Sequence, residues 1–183
     1  SFFGPEVGVG GGKISLGKGI VTGVQLETVL RQLSKIKGYQ NFDKLPIPYR
    51  AVATDMVSGK MVVLKDGDLA TAMRASMAIP GAFAPVMTDK YILSDGGMVR
   101  NIPVDVARDL CADVVIVVNL VEEEVKREKL QTATQLLGRS TDVMIVANEN
   151  LQLETLTDRD VRIDVIMGDI TTADFERVPE TVP

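Results

Sequence analysis

Asp95 is followed by Gly96 and Gly97 and preceded by the short apolar run around Ile92 and Leu93, which places one carboxylate at the carboxyl end of a predicted strand. In layered α/β sheets, ligands bind at that end. A carboxylate there can act as a general base, and two glycines beside it leave it uncrowded and allow backbone angles that other residues resist. The same three residues are a turn signal, and taken alone they read as a turn first and a catalytic group second. A hydrolase would also need a nucleophile, most simply a serine in a G-x-S-x-G elbow with backbone N–H groups beside it for the oxyanion. No serine in the chain meets that pattern. Ser15 has Lys13 where the first glycine belongs, Ser140 has Asp142 where the last belongs, and Ser76 falls within a predicted helix as a small packing residue.

The chain of 183 residues contains no histidine, which removes the Ser-His-Asp triad and the commonest metal ligand together. A carboxylate would then have to take the serine proton directly. An ordinary aspartate titrates near ~3.9, so partial burial would help by raising its basicity. The single Cys111 excludes a CxxC pair, a zinc ribbon and an intrachain disulfide. Lys and Arg total 20 against 25 Asp and Glu, the net charge is −5 and aromatic residues are 4%, so a basic stacking surface for nucleic acid is excluded. No apolar run reaches transmembrane length, and Ser1-Phe2-Phe3-Gly4-Pro5 lacks the cationic start of a signal peptide.

Several elements must position Asp95. Residues 1–19 are glycine-rich and read as a flexible loop or a loosely paired strand. A Walker loop there fails at Val7 and Ile14, and a G-x-G-x-x-G reading fails at Lys13. Thr22 and Gln25 have the capping-box spacing, and Leu26, Val29, Leu30, Leu33 and Ile36 continue as an amphipathic helix to Gly38. Residues 49–56 and 60–64 predict a β-hairpin about Ser58-Gly59, and Asp68 caps a helix over 69–78 that Pro80 ends. A short strand pair around Asp89 leads to Asp95, and Asn101 and Pro103 start a helix through Leu110. Val114–Val118 reads as a strand buried on both faces, 128–156 as a long helix that Gly138 bends or divides, and Val161–Ile166 as an outer strand. This alternation points to a layered α/β sheet.

The blocks Ala53-Thr54-Asp55, Ala72 to Pro80, Phe83-Ala84-Pro85, Asp95-Gly96-Gly97 and Asn101-Ile102-Pro103, in this order and spacing, resemble the patatin-like phospholipases, especially the patatin domain of bacterial outer-membrane autotransporter phospholipases. The resemblance runs from about Gly19 to Glu176. It implies a three-layer α/β/α sandwich and a Ser–Asp dyad that hydrolyses acyl esters of lipids with no metal and no cofactor. Asp95 would be the base, supported by Gly96 and Gly97, which reverses the preference for a turn. The family's oxyanion loop and serine elbow would lie on an amino-terminal segment absent from this chain. Residues 1–183 are therefore expected to be the carboxyl-terminal part of a single patatin-like domain, inactive alone. The expected partners are a phospholipid or other acyl ester, the segment carrying the serine, a membrane surface and a second copy of the chain. Two locations fit, secreted or attached to an outer membrane, and cytoplasmic. A non-catalytic lipid-binding or interaction domain with the same fold is the alternative.

Overall fold

The computed structural model describes residues 7–10, 13–16, 23–121 and 124–168. Helices and strands intermingle along the chain in an α/β fold. The chain divides into two compact units, Ser1–Asn101 and Ile102–Pro183.

In the first unit, β1 (Val7–Gly10) pairs antiparallel with β2 (Lys13–Leu16) within the glycine-rich segment. The amphipathic helix is α1 (Gly23–Ser34); its proposed cap Thr22 lies outside the described residues. β3 (Tyr39–Asn41) follows, then a 3-10 turn, and the expected hairpin forms from β4 (Ala51–Asp55) and β5 (Met61–Leu64). Its turn places Gly59 at φ +69°, a region glycine enters at little cost. β6 (Asp66–Asp68) pairs with β3 and runs directly into α2 (Leu69–Ser76). Asp68 caps α2 by accepting the Thr71 N–H at 3.0 Å.

The strand pair about Asp89 is β7 (Val86–Met87) and β8 (Ile92–Asp95). With β4 and β5 they make one antiparallel sheet in the order β5-β4-β8-β7. Every residue of β4 is buried. Ala75 of α2 packs with Ala53, Val86 and Leu93 against this sheet, while Phe42, Ala51, Leu69 and Ala72 form a neighbouring cluster. The fully buried Phe42 ring meets Tyr49 edge-on at 5.9 Å.

Polar groups fasten the outside of this core. Glu27 of α1 accepts Arg74 Nε at 2.9 Å and the Thr71 hydroxyl at 3.0 Å from α2, and Arg31 of α1 pairs with Asp68. At the other side, the buried Asp55 accepts the Ser58 hydroxyl at 2.6 Å and the Ile92 N–H at 3.3 Å, joining the hairpin turn to β8. α3 (Gly97–Arg100) closes the unit.

The second unit holds α4 (Val104–Asp109), β9 (Ile116–Val121), α5 (Ala133–Leu153) and β10 (Val161–Ile166). The helix expected from Asn101 starts later, because Pro103 holds a non-helical ψ of 63° at the cap position. α5 begins at a full Thr132–Gln135 capping box and runs through Gly138 undivided. β9 and β10 pair in parallel. The strand expected to be buried on both faces is shifted toward the carboxyl end and covered on one. Val115 and Val117 are buried with Ile102, Val104 and Leu153, whereas Ile116 and Val118 are 65% and 59% exposed. A continuous run of β-branched residues looks the same in sequence whether one face or both are covered. Asp160 ties β9 to its partner strand by accepting the N–H groups of Thr157 at 2.7 Å and Val115 at 2.8 Å, beside Arg108. Among the described residues no helix is long and apolar enough to cross a membrane.

Candidate active site

Asp95 is the last residue of β8 and sits where the sheet hands over to α3. Its ladder partner on β4 is Ala53. Its N–H donates to the Ala78 carbonyl at 3.0 Å, and its own carbonyl accepts the Thr54 hydroxyl at 2.7 Å. The side chain is half-buried, and Oδ1 accepts the Gly97 N–H at 2.7 Å. Among the described residues that is the one hydrogen bond to the carboxylate, so Oδ2 is available to take a proton. Burial pushes the Asp95 carboxyl above the ordinary carboxylate value, with the Gly97 N–H opposing it. A base gains strength from that direction of shift.

The two glycines have a different physical reason from the one their sequence suggests. Gly96 has φ −69° and ψ −24°, ordinary helical angles that any residue adopts. What it needs is room: a Cβ there would lie 2.1 Å from the Val52 carbonyl oxygen on β4. Gly97 is buried, and a Cβ there would meet Asn101 Oδ1 at 2.8 Å and Asp95 Oδ1 at 2.9 Å. The pair therefore lets the chain turn from strand to helix flush against β4 while leaving the carboxylate its place.

Of the serines singled out in the sequence, the two whose side chains are described each donate the hydroxyl to a backbone carbonyl. Ser76 ends α2 and donates its hydroxyl to the Val52 carbonyl at 2.7 Å, while its own carbonyl accepts the Gly96 N–H. Ser140 lies on α5 in the second unit and donates to the Leu136 carbonyl at 2.8 Å. The side chain of Ser15 lies outside the described residues. Among the described residues no group of three or more His, Cys, Asp or Glu is placed to hold a metal ion.

Sequence reasoning missed the frame around Asp95, namely Thr54, Val52, Ser76 and Ala78. The available signal was the polar pair Thr54-Asp55 at the end of an otherwise apolar, wholly buried strand. Asp55 belongs to the hairpin turn, since its side chain accepts from Val57 and Ser58 of that turn and from Ile92 of β8.

The chain matches the Patatin family, described as patatin-like phospholipase, over residues 11–108. It is 41% identical over 97 residues to an uncharacterized NTE family protein of Mycobacterium tuberculosis (strain H37Rv), which covers 53% of this chain and 27% of that protein. It is 38% identical over 90 residues to patatin-like phospholipase domain-containing protein 7 of Mus musculus, covering 48% of this chain and 7% of that protein. The corresponding protein 6 of Homo sapiens is 35% identical over 92 residues, with 49% and 7% covered. The chain thus spans about a quarter of the mycobacterial relative's length and under a tenth of the mammalian ones.

Proposed function

This chain belongs to the patatin-like phospholipase family, and from that membership we propose that Asp95 is the base of a serine lipid acyl hydrolase. The observation that carries the reading is the half-buried Asp95 carboxylate, with one oxygen held by the Gly97 N–H and the other without a hydrogen bond among the described residues. The nucleophilic serine comes from a part of the full-length protein outside these residues, which form the carboxyl-terminal part of one patatin-like domain. In the first step the serine oxygen attacks the ester carbonyl and its proton passes to Asp95 Oδ2. The tetrahedral intermediate collapses, the C–O bond to the alcohol or lysophospholipid breaks, and Asp95 returns the proton to that leaving oxygen. Water, deprotonated by Asp95, then releases the fatty acid. The substrate is a phospholipid or related acyl ester presented at a membrane surface. Likeness at the level of the NTE and patatin-like relatives supports lipid ester chemistry; kinship with autotransporter phospholipases would add attachment to an outer membrane.

The test is Asp95→Asn in the full-length protein, assayed by fatty-acid release from phospholipid vesicles. Asn keeps the shape and can still accept the Gly97 N–H, so the variant isolates the proton transfer. Loss of a general base predicts a rate lower by about 10²–10⁴-fold. The fold should not suffer: a carboxyl whose folded pKa is raised loses stability on ionising, so a neutral side chain removes that cost at pH 7. Release within twofold of wild type would exclude Asp95 as the base.

A further inference from the structure

Asp95 is held in place through its backbone on both sides. The Asp95 N–H to Ala78 and the Gly96 N–H to Ser76 contacts, at 3.0 and 3.3 Å, end on peptide carbonyls and place no demand on the side chains there. The contact to the Asp95 carbonyl is different, because it depends on the Thr54 hydroxyl at 2.7 Å. Thr54 is 2% exposed, so water cannot take its place without opening β4. The Ala53–Asp95 pair is also the last rung of the β4–β8 ladder at this end. Beyond it, the peptide linking Asp95 to Gly96 is steadied on its carbonyl side by Thr54.

We propose that Thr54 is a positioning residue for the Asp95 base, fixing the peptide plane from which the carboxylate projects. The proposal rests on the reading of Asp95 as that base. Without the hydroxyl, the plane can rotate to seek another donor, and the side chain swings with it. A displacement of about 1 Å at a reacting group lowers a rate by as much as ~10²-fold. Thr54 itself touches neither substrate nor serine in this scheme, so its loss should act on turnover and leave substrate affinity alone.

The experiment compares Thr54→Val, Thr54→Ser and Thr71→Val in the full-length protein, with fatty-acid release and thermal melts read on each. Thr71→Val is the same chemical change at the far end of α2, where the hydroxyl serves Glu27 and Asp68. Thr54→Val should lower kcat by about ten- to a hundredfold with KM within twofold of wild type. Thr54→Ser keeps the hydroxyl and should restore kcat to within about threefold, and Thr71→Val should leave it unchanged. A folded Thr54→Val with wild-type kcat overturns the proposal, as does a serine variant as impaired as the valine. If Thr54→Val does not fold, Thr54→Ala removes the same hydroxyl without a branched side chain and is read the same way. Activity surviving in Asp95→Asn sinks the base assignment itself, whatever the Thr54 variants do.

Discussion

Gly96→Ala should be a severe change for a single methyl group. Its Cβ would sit 2.1 Å from the Val52 carbonyl oxygen and 2.6 Å from the Val52 carbonyl carbon. An ordinary contact starts at 3.4 Å, so the two backbones must part by about 1.3 Å. Neither atom belongs to a side chain that can rotate away, and Val52 lies on a strand held by β5 and β8. Inserting a methylene into a packed core costs about 1–3 kcal/mol when side chains can yield. Here the yielding groups are peptides, and the upper end, about 3 kcal/mol, applies. For a chain of this size that is a drop of roughly 6–12 °C in melting temperature. Alanine's own preferences work in the opposite direction, since it accepts the helical angles of Gly96 and reduces the freedom of the unfolded chain. If the glycine were there for its angles, alanine would therefore be harmless or stabilising. Circular dichroism melts of the two proteins decide the matter: a variant melting within ~2 °C of wild type refutes the steric argument.

Gly97→Ala should separate stability from activity. The nearest atoms to the new methyl are the tips of Asn101 and Asp95, at 2.8 and 2.9 Å, side-chain atoms rather than backbone. The melting temperature should stay within a few degrees while fatty-acid release falls about tenfold or more, because one of the yielding groups is the base itself; unchanged release would count against this placement of the carboxylate. Asp160 predicts a pH effect. The N–H groups of Thr157 and Val115, with help from Arg108, hold its carboxyl well below the usual carboxylate range. A folded pKa below the unfolded one means that ionised Asp160 contributes stability above about pH 4, which is lost as acid protonates it in the fold. Asp160→Asn should lower the melting temperature at pH 7 and flatten its fall below pH ~4, whereas a profile parallel to wild type would contradict the assignment.

What could be read in advance follows the range of the forces involved. Asp68 was legible as a cap because its carboxylate meets the Thr71 N–H within one turn, whatever the rest of the chain does. The β4–β5 hairpin likewise needs only Ser58-Gly59 between two apolar runs. The β3–β6 pair was not legible: Asp66-Gly67-Asp68 carries no β-forming residue, and its partner lies beyond the entire β4–β5 hairpin. At the site, the carboxylate and its two glycines stood out by type. Their frame did not, because Val52, Ser76 and Ala78 contribute peptide carbonyls, and a backbone contact leaves no mark on side-chain identity. Thr54 is the exception, a hydroxyl in a strand with no solvent to face.

The contact between Gly96 and Val52 also sets which substitutions can compensate for one another. A glycine crowded by side chains can be relieved when a neighbour shrinks, so a smaller residue at 101 would remove the 2.8 Å contact of a methyl at 97, leaving the 2.9 Å contact with Asp95 Oδ1. Gly96 faces a carbonyl oxygen that every amino acid carries, and no choice of residue at position 52 removes it. Drift at Gly97 can be partly relieved by its side-chain neighbour, whereas drift at Gly96 has no suppressor at the position it faces. In a suppressor screen, second-site revertants of Gly96→Ala should therefore fall where they let β4 or β8 move as a whole, and none should map to position 52.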